Sequence, residues 1–292
     1  MAGPPISVSI AMPVRNARTT VGAAIRSILA QTYPHFEFLI IDDGSTDGTA
    51  EVVSGFRDPR IRLIRHHVSL GLAVRLNEAI SMSGSPLFAR MDADDVAYPM
   101  RLEAQVEFLE RRPECDLVGC GVLFFDDAGR VTGRYPLRRT HGEICLEPWR
   151  GFFLPHPTWM GRRAWFARFG YHDSYRKTQD QDLLLRSFDS SCFACLDRTL
   201  LGYRRARRTL WKSLVGRAYF SRSIARESWR RRAWLAGCAG LVAQGAKSLA
   251  DLLTVPFGMD GWLRGRSGAA MSANELEEWE MIWKACNMDL ET

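Results

Sequence analysis

The chain has 292 residues, of which 46% are hydrophobic and 25% are charged, and its formal net charge is +6. This balance fits a soluble enzyme built as one large domain, or as a domain with an appendage, and excludes a repetitive or low-complexity protein. The N-terminal residues have neither a basic segment nor a long apolar core, and the seven cysteines are scattered, so we expect no signal peptide and reduced thiols in the cytoplasm.

Strands and helices alternate in the pattern predicted for the chain up to Arg112. The predicted strands are Ile6–Met12, 36–41, Ile61–Arg65 and 86–90. The predicted helices are Thr19–Gln31, Thr49 to about Phe56, Leu72–Met82 and Pro99–Arg112. This alternation is typical of an α/β fold, in which right-handed crossovers join parallel strands. Beyond Cys115 the pattern loosens, with a strand predicted at Leu117–Phe125 and a turn with a short strand at 129–136.

Three carboxylates crowd together directly after the fourth predicted strand, on Asp92, Asp94 and Asp95. Like charges this close repel one another, so they are stable only in water or with a cation among them. Carboxylate oxygens at one strand end suit Mg²⁺ or Mn²⁺, which usually share such ligands with a phosphate. A solvated acidic turn is the alternative, and this motif alone leaves both interpretations open.

A second acidic turn runs from Asp42 to Asp47, after the second predicted strand. Thr46 or Asp47 can cap the helix that is predicted to begin near Thr49. Ligands of open α/β sheets bind beyond the carboxyl ends of the strands, so the two acidic turns are predicted to face one crevice. Ordinary turn chemistry explains Asp-Gly-Ser when it stands alone. The prediction of a site therefore depends on the pairing of the two turns.

These motifs, together with several others, stand in the order found in family-2 glycosyltransferases. The chain resembles that family over roughly residues 6–205, through Pro13 to Asn16, Ser27 to Thr32, Asp42 to Asp47, Gly71-Leu72 with Asn77, Asp92 to Asp95, His156 to Thr158 and Gln179 to Arg186. The resemblance implies an inverting enzyme of the GT-A fold, an α/β fold with a Rossmann-like, mostly parallel sheet flanked by helices. It implies transfer of a sugar from a nucleotide diphosphate donor to an acceptor hydroxyl.

The resemblance also implies a domain organisation. Residues 1–205 would form the catalytic domain, with a nucleotide-sugar half at about 1–112 and an acceptor half at about 113–205. Residues 206–292 would form a basic, mainly helical C-terminal region.

Five residues correspond to the donor-binding positions of the family. Pro13 and Asn16 would border the nucleotide pocket, Asp42 and Asp43 would contact the base and the ribose, and Asp92 would lie near the ribose or the metal. A contact from Asp42 or Asp43 to an imide N–H is physically sensible, because an ionised carboxylate only accepts hydrogen bonds.

The metal position of the family falls on the crowded carboxylates. Asp94 would be the direct ligand of Mn²⁺ or Mg²⁺, with Asp92 and Asp95 nearby, and the ion would stabilise the diphosphate leaving group. His156 is a further candidate beside the metal or the diphosphate, and a loop histidine with satisfied hydrogen bonds is the alternative.

An inverting transfer needs a general base, because an acceptor hydroxyl is a poor nucleophile at neutral pH. The family places this base at the second position of a Glu-Asp pair, which corresponds here to Asp180 after Gln179. The glutamine keeps an oxygen acceptor and removes one like charge, so we expect catalysis to persist. The alternative is that Asp180 and Asp182 are acids at a helix N-terminus that complement the helix dipole. Arg186 is predicted to pair with Asp182 on the same helix.

Basic charge is concentrated between Arg198 and Arg232, where twelve Lys/Arg and one acid give +11 and leave −5 for the rest (6 − 11). The sequence predicts a basic amphipathic helix here, which is typical of binding to a membrane surface. The predicted basic face is Arg204, Arg208 and Lys212, and the apolar face is Trp211, Leu214, Val215 and Ala218.

The whole segment 204–257 is expected to lie on a membrane without crossing it. Its apolar stretch at 233–243 is shorter than the roughly 20 residues that a spanning helix needs. Packing on the catalytic domain is the alternative, and we expect no nucleic acid as a partner, because the aromatic residues follow a helical spacing and form no stacking platform.

The sequence therefore predicts a metal-dependent inverting glycosyltransferase of polysaccharide, lipopolysaccharide or other glycoconjugate biosynthesis. Its partners would be a nucleotide-sugar donor and a glycan or lipid-linked acceptor, met in the cytoplasm at the inner face of the membrane. A non-catalytic nucleotide-sugar-binding protein of the same fold is one alternative. A nucleotidyltransferase is another, but it needs a Gly-rich loop after the first strand, and residues 13–16 supply none.

Overall fold

The computed structural model describes residues 5–205, 209–256 and 271–287. The strands are β1 (Val8–Val14), β2 (Phe36–Asp43), β3 (Ile61–His66), β4 (Leu87–Arg90), β5 (Val96–Ala97), β6 (Leu117–Phe125), β7 (Val131–Arg134), β8 (Met160–Arg162) and β9 (Phe193–Arg204). The helices are α1 (Val21–Leu29), α2 (Thr49–Ser54), α3 (Leu72–Met82), α4 (Arg101–Arg111), α5 (His141–Ile144), α6 (Arg163–Phe169), α7 (Gln179–Ser187), α8 (Leu210–Arg230), α9 (Trp234–Thr254) and α10 (Ala273–Asn287).

A single sheet with the order β3-β2-β1-β4-β8-β6-β9-β5 organises the fold, and β7 pairs with β6 beside this path. The strands β3, β2, β1 and β4 are parallel to one another, as the alternation of strands and helices predicts. Beyond them β8 is antiparallel to both β4 and β6, while β9 is parallel to β6. The predicted α/β fold class is confirmed.

The register of the parallel strands brings their carboxyl ends to one edge of the sheet. Val14 at the end of β1 is opposite Asp42, and Ala11 is opposite Arg90 at the end of β4. The loops that follow β1, β2 and β4 therefore begin at the same edge. Both acidic turns predicted from the sequence lie there.

The central strands are buried on both faces, as expected where helices cover both sides of a parallel sheet. Ile10 and Met12 of β1 belong to one hydrophobic cluster, and Ala11 between them belongs to the other. Burying one such large aliphatic side chain stabilises the fold by about 1.5–3 kcal/mol. The sheet is thus a rigid support for the loops at its edge.

The last described helix, α10, returns to the sheet. Trp279 is 1% exposed and packs on Phe125 with 4.9 Å between ring centroids, and its Nε1 donates to the carbonyl of Gly129 at 2.7 Å. A Cβ on Gly202 would meet the Trp279 ring at 2.3 Å, so only glycine permits this contact. Arg26 of α1 donates to the carbonyl of Cys286 at 2.6 Å and fixes the other end of the helix.

One residue of the predicted basic helical face, Arg204, does not lie on a helix. Arg204 is the last residue of β9, because this strand stays paired with β6 as far as Phe125. Arg208 and Phe257 lie outside the described residues. Within 5–205, 209–256 and 271–287, no helix has the length and apolar character needed to cross a membrane.

Candidate active site

The three crowded carboxylates come together after β4. Ligand oxygens of Asp92, Asp94 and Asp95 all lie within 4.8 Å of one another. Burial and then the charge of Asp92 raise the pKa of the Asp94 carboxyl to about 6. Burial and the two neighbouring carboxylates raise the pKa of Asp95 well above its ordinary value. Without a cation, the three groups therefore resist being ionised together.

The surroundings of this cluster fit a divalent ion. Arg204 donates its backbone N–H to Oδ1 of Asp95 at 2.9 Å, while Oδ2 of Asp95 is buried without a hydrogen-bond partner among the described residues. Nε of Arg204 donates to the carbonyl of Asp94 at 3.1 Å, which holds the loop in place. An all-oxygen ligand set with a free buried oxygen is the donor chemistry that Mg²⁺ and Mn²⁺ prefer.

The loops after β1 and β2 are tied together at the proposed nucleotide side. Asn16 has a left-handed backbone with φ of 49°, and its side-chain Oδ1 accepts from the N–H of Thr46 at 2.9 Å. Its own N–H donates to Oγ of Ser45 at 3.0 Å. Pro13 is half-buried, and Asp42 is 2% exposed and accepts from the N–H of Ser45 through Oδ1 at 2.9 Å. These contacts join Asn16 to the loop that Asp42 begins, and Pro13 lies opposite Ile41 in the pairing of β1 with β2.

The carboxylate of Asp43 makes more hydrogen bonds than that of Asp42. Its carboxylate accepts four hydrogen bonds, two on each oxygen, from Ser69 Oγ, Leu70 N, Gly71 N and Arg75 Nε. Burial alone would raise the pKa of Asp43, but these four donors outweigh it and hold the pKa below the ordinary value. Asp43 therefore fixes the loop before α3.

The proposed base lies at the first turn of α7. Thr178 before it has a left-handed backbone with φ of 55°, a costly conformation for a residue with a branched side chain. Asp180 is half-buried, and Nε2 of Gln181 donates to its Oδ2 at 3.4 Å. Burial raises the pKa of Asp180, and hydrogen bonds from Gln181 and the charge of Arg90 act in the opposite direction. A raised pKa brings a carboxylate closer to the range in which a base works well.

Asp182, two residues further along α7, is a structural acid. It is fully buried, and its oxygens accept from Arg186 Nε at 2.8 Å, Ser223 Oγ at 2.7 Å and Arg226 Nη2 at 2.7 Å. The predicted pair of Asp182 with Arg186 is confirmed. Ser223 and Arg226 belong to α8, so Asp182 joins α7 to the C-terminal helices.

Among the described residues, His156 is not part of the group of side chains whose ligand atoms lie within 4.8 Å of one another. It is 8% exposed, and its Nε2 is 2.8 Å from the hydroxyl of Tyr171. Burial, and then the charge of Arg90, lower the pKa of His156 well below its ordinary value, so the imidazole is neutral.

Two residues of the site were not singled out from the sequence, Arg90 and Tyr171. Both side chains are buried. Against the effect of burial, the charge of Asp92 raises the pKa of Arg90, and burial together with the charges of Asp180 and Asp92 raises the pKa of Tyr171. Arg90 and Tyr171 also affect the pKa of one another. The signal for Arg90 was present, since a charged residue ended an apolar strand run directly before the acidic motif. Tyr171 had no local signal, because its neighbours come from distant parts of the chain.

Internal ion pairs engage much of the basic charge on α8. Arg217 pairs with Asp251 at 2.6 Å, Arg226 with Asp182 at 2.7 Å and, directly after the helix, Arg231 with Asp189 at 2.7 Å. Large apolar side chains are instead exposed along α8 and α9. They are Trp211, Trp229, Trp234, Leu235, Leu241, Val242, Leu249, Leu252 and Leu253.

The sheet carries crowded carboxylates at its carboxyl edge, and Asp180 lies half-buried on α7 outside that cluster. The sequence profile of the family "Glycosyl transferase family 2" matches residues 9–170. The chain belongs to this family, and the resemblance stated from its motifs is confirmed.

Two curated relatives and one solved structure illustrate the relationship. EpsE of Bacillus subtilis (strain 168) is 35% identical over 188 residues, which cover 62% of this chain and 66% of EpsE. The UDP-Glc:alpha-D-GlcNAc-diphosphoundecaprenol beta-1,3-glucosyltransferase WfgD of Escherichia coli is 38% identical over 102 residues, 35% of this chain and 40% of WfgD. The chain thus spans less than two thirds of the length of either relative.

A solved structure of low sequence identity has a similar fold. The mannosyltransferase PcManGT from Pyrobaculum calidifontis, solved in complex with GDP-Man and Mn²⁺, superposes with a TM-score of 0.60 at 16% identity, covering 97% of this chain and 85% of that one. This likeness confirms the predicted GT-A fold with its C-terminal helices.

Proposed function

We propose that the protein is a metal-dependent inverting glycosyltransferase that moves a sugar from a nucleotide diphosphate donor to an acceptor hydroxyl. The observation that carries this proposal is a crowded carboxylate cluster together with a further aspartate outside it. Asp92, Asp94 and Asp95 form a crowded cluster, and Asp180 stands apart from them on α7. Burial raises the pKa of Tyr171, and the charges of Asp180 and Asp92 both raise it further, which supports a common crevice.

The donor side of the proposal uses the loops at the carboxyl edge of the sheet. Asp94, with Asp92 beside it, would hold Mn²⁺ or Mg²⁺, and the bound ion would stabilise the negative charge of the diphosphate leaving group. Pro13, Asn16 and Asp42 would border the nucleotide. Asp43 would act indirectly, because its four hydrogen bonds hold the loop before α3.

The acceptor side uses Asp180. Its ionised carboxylate would accept the proton of the acceptor hydroxyl as the oxygen attacks the anomeric carbon from the face opposite the diphosphate. The raised pKa of Asp180 supports this role. Asp182 is a poor candidate, because three side chains already donate to it.

The acceptor is proposed to be a glycan or a lipid-linked glycan at the inner face of the membrane. Exposed apolar side chains on α8 and α9 support peripheral membrane contact. The name of WfgD describes a diphosphoundecaprenol-linked acceptor for that relative. The division into a catalytic domain at 1–205 and a basic helical region at 206–292 belongs to the same proposal.

Thermal stabilisation by a panel of nucleotide-sugars, with and without Mn²⁺, tests the donor. A ligand that binds only the folded state raises its apparent stability, so the correct donor should raise Tm in the presence of Mn²⁺. Transfer to an acceptor should then release nucleoside diphosphate and give a product of inverted anomeric configuration by NMR.

Other outcomes would replace the proposal. Donor binding without hydrolysis or transfer would favour a non-catalytic binder. Formation of nucleoside triphosphate and a sugar 1-phosphate when pyrophosphate is added would favour a nucleotidyltransferase. A product of retained configuration would remove Asp180 from the role of base toward the acceptor.

A further inference from the structure

Four partly exposed aromatic side chains form a continuous row. The ring centroid of Phe124 lies 5.9 Å from that of Tyr203 and 6.1 Å from that of Tyr135. The ring centroid of Tyr135 lies in turn 6.5 Å from that of Phe153. Phe153 is 44% exposed, and the other three residues are half-buried. We call these four residues the aromatic row.

The strands β6 and β9 place the first two rings of the aromatic row. Phe124 is opposite Tyr203 in the parallel pairing of these strands, so both side chains lie on the same face of the sheet. The next residue of β6, Phe125, points to the other face, where it packs on Trp279 of α10. Helix α10 therefore covers one face here, and the aromatic row begins on the opposite face.

One end of the aromatic row is joined to the carboxylate cluster. Arg204 directly follows Tyr203, and its backbone N–H donates to Oδ1 of Asp95 at 2.9 Å. Nε of Arg204 donates to the carbonyl of Asp94 at 3.1 Å. Burial, and then the three carboxylates of the cluster, raise the pKa of Tyr203. The Tyr203 end of the row is therefore held next to the proposed metal position.

The other end is joined to the proposed base by hydrogen bonds. The backbone N–H of Phe152, the residue before Phe153, donates to Oε1 of Gln181 at 2.8 Å. This contact fixes the orientation of the amide, because a backbone N–H only donates. Nε2 of Gln181 then donates to Oδ2 of Asp180 at 3.4 Å and to the carbonyl of Phe152 at 3.3 Å. Burial, and then the charge of Asp180, raise the pKa of Tyr135 to about 12.

Two exposed arginines add hydrogen-bond donors beside the aromatic row. Cζ of Arg205 lies 5.4 Å from the ring centroid of Phe124, and Cζ of Arg138 lies 5.7 Å from that of Phe153. Apolar and aromatic surface with a few well-placed polar groups is typical of small-molecule sites. A pyranose ring has the complementary chemistry, since its faces present C–H groups and its edge carries hydroxyls.

We propose that the aromatic row is an acceptor site, in which a pyranose ring of the acceptor glycan stacks its C–H face on Phe153 and Tyr135. A hydroxyl of this sugar then lies near Asp180, while Phe124 and Tyr203 lie toward the donor and the metal. The inference rests on the proposed function, because it takes Asp180 as the base. It makes a sugar ring the part of the acceptor that this surface recognises.

Kinetics with methyl glycosides of glucose, galactose, mannose and N-acetylglucosamine as acceptors give the first test. Phe153→Ala removes one stacked ring, so KM for the acceptor should rise about tenfold, while the donor Kd measured by calorimetry stays unchanged. Phe153→Trp keeps a flat ring and should retain a KM near that of the wild type. Phe153→Leu is apolar but not flat, so its KM should rise as in Phe153→Ala, which it replaces if the latter does not fold.

Phe108→Ala is the matched control for these variants. Phe108 is a half-buried phenylalanine on α4, and Cζ of Arg112 lies 5.9 Å from its ring centroid. It therefore has the same ring and a similar contact with an arginine, but it lies outside the aromatic row. Its substitution should leave KM for the acceptor at the wild-type value.

Carbon-13 NMR of protein labelled in its Phe and Tyr rings measures binding without turnover. The resonance absent from Phe153→Ala identifies Phe153, and the resonance absent from Tyr135→Leu identifies Tyr135. Titration of the wild-type protein with the same methyl glycosides should shift both resonances. UDP and GDP should leave both in place, so these two arms separate a stacked sugar from a stacked nucleobase.

The outcomes distinguish the acceptor site from the proposed function. If no glycoside of the set shifts either resonance, or if Phe153→Ala retains the wild-type KM, the aromatic row is not the acceptor site. Shifts caused by UDP or GDP alone would assign the row to the nucleobase and overturn the proposal. Shifts caused by a glycoside in a protein that transfers no sugar would instead remove the proposed function and leave the sugar-binding row intact.

Discussion

The carboxylate of Asp182 and the guanidinium of Arg226 lie 2.7 Å apart, in an ion pair that joins α7 to α8. Asp182 is fully buried, while the Arg226 side chain is 35% exposed. The helix that carries the proposed base is therefore held by the C-terminal helices. Thr178, at the start of α7, adds a 3.4 Å contact from its Oγ1 to the carbonyl of Gly216 on α8.

Removing one partner of this pair should destabilise the protein strongly. Asp182→Ala leaves Arg226 and Arg186 without their shared acceptor, and each hydrogen bond lost to a charged group costs about 1.5–3 kcal/mol. Urea unfolding measures the change. Glu107→Ala is the control, since Glu107 pairs with Arg111 on the surface, where such pairs contribute less than about 1 kcal/mol. Equal losses in the two variants would contradict the role of Asp182.

Local patterns predicted the elements well where the pattern was strong. The predicted helix Leu72–Met82 and the predicted strand Leu117–Phe125 have the bounds that the structure gives to α3 and β6. The first strand was predicted at Ile6–Met12, but β1 is Val8–Val14. It includes Pro13 because β1 pairs with β4 only as far as Ala11, so the missing N–H of proline leaves no partner unpaired on that side.

The relations that could not be predicted are long-range. Arg204 was assigned to a basic helix from its neighbours in sequence, but its guanidinium lies 4.8 Å from the ring centroid of Phe125 and 5.4 Å from that of Trp283. Those partners come from β6 and α10, which no local periodicity can reveal. The two acidic turns were predictable, because each directly follows a strand and parallel strands share one carboxyl edge.

Loss of one metal ligand should weaken the donor site. Asp94→Asn replaces a charged oxygen ligand by a neutral one, so Mn²⁺-dependent donor binding and most of the activity should be lost. Calorimetry with and without EDTA measures the binding. Asp197→Asn is the control, because its side chain is 62% exposed and pairs with Arg139, away from the cluster. If the wild type binds the donor equally well in EDTA, the metal has no role in donor binding.

Loss of the base should separate binding from turnover. Asp180→Asn removes the proton acceptor and leaves the donor loops intact, so donor affinity should stay near that of the wild type while kcat falls about 10²- to 10⁴-fold. Pre-steady-state kinetics together with donor calorimetry measure both quantities. Wild-type turnover in this variant would show that the base lies elsewhere. Asp182 is a weak substitute for it, given its three side-chain donors.

The exposed apolar surface of α8 and α9 should hold the protein on anionic vesicles. Trp229 and Trp234 lie 4.7 Å apart between ring centroids and are 71% and 53% exposed, so Trp229→Ser with Trp234→Ser should lower vesicle affinity about tenfold or more. Salt should weaken binding only in part. Each Lys or Arg near an anionic surface contributes about 1 kcal/mol, but Arg217, Arg226 and Arg231 are already engaged in ion pairs.

Flotation at low and high salt measures this binding, with Met281→Ser as the control. Met281 is 61% exposed but lies on α10, which packs on α1 and the sheet, so its substitution should leave flotation unchanged. If the wild type stays in the soluble fraction at low salt, the apolar surface of α8 and α9 does not bind lipid. A loss with Met281→Ser as large as that of the double variant would mean that α8 and α9 are not the part that inserts. If the wild type does not bind, the acceptor would be sought among soluble glycans. If Met281→Ser weakens binding as much as the double variant, the lipid contact would be sought at α10.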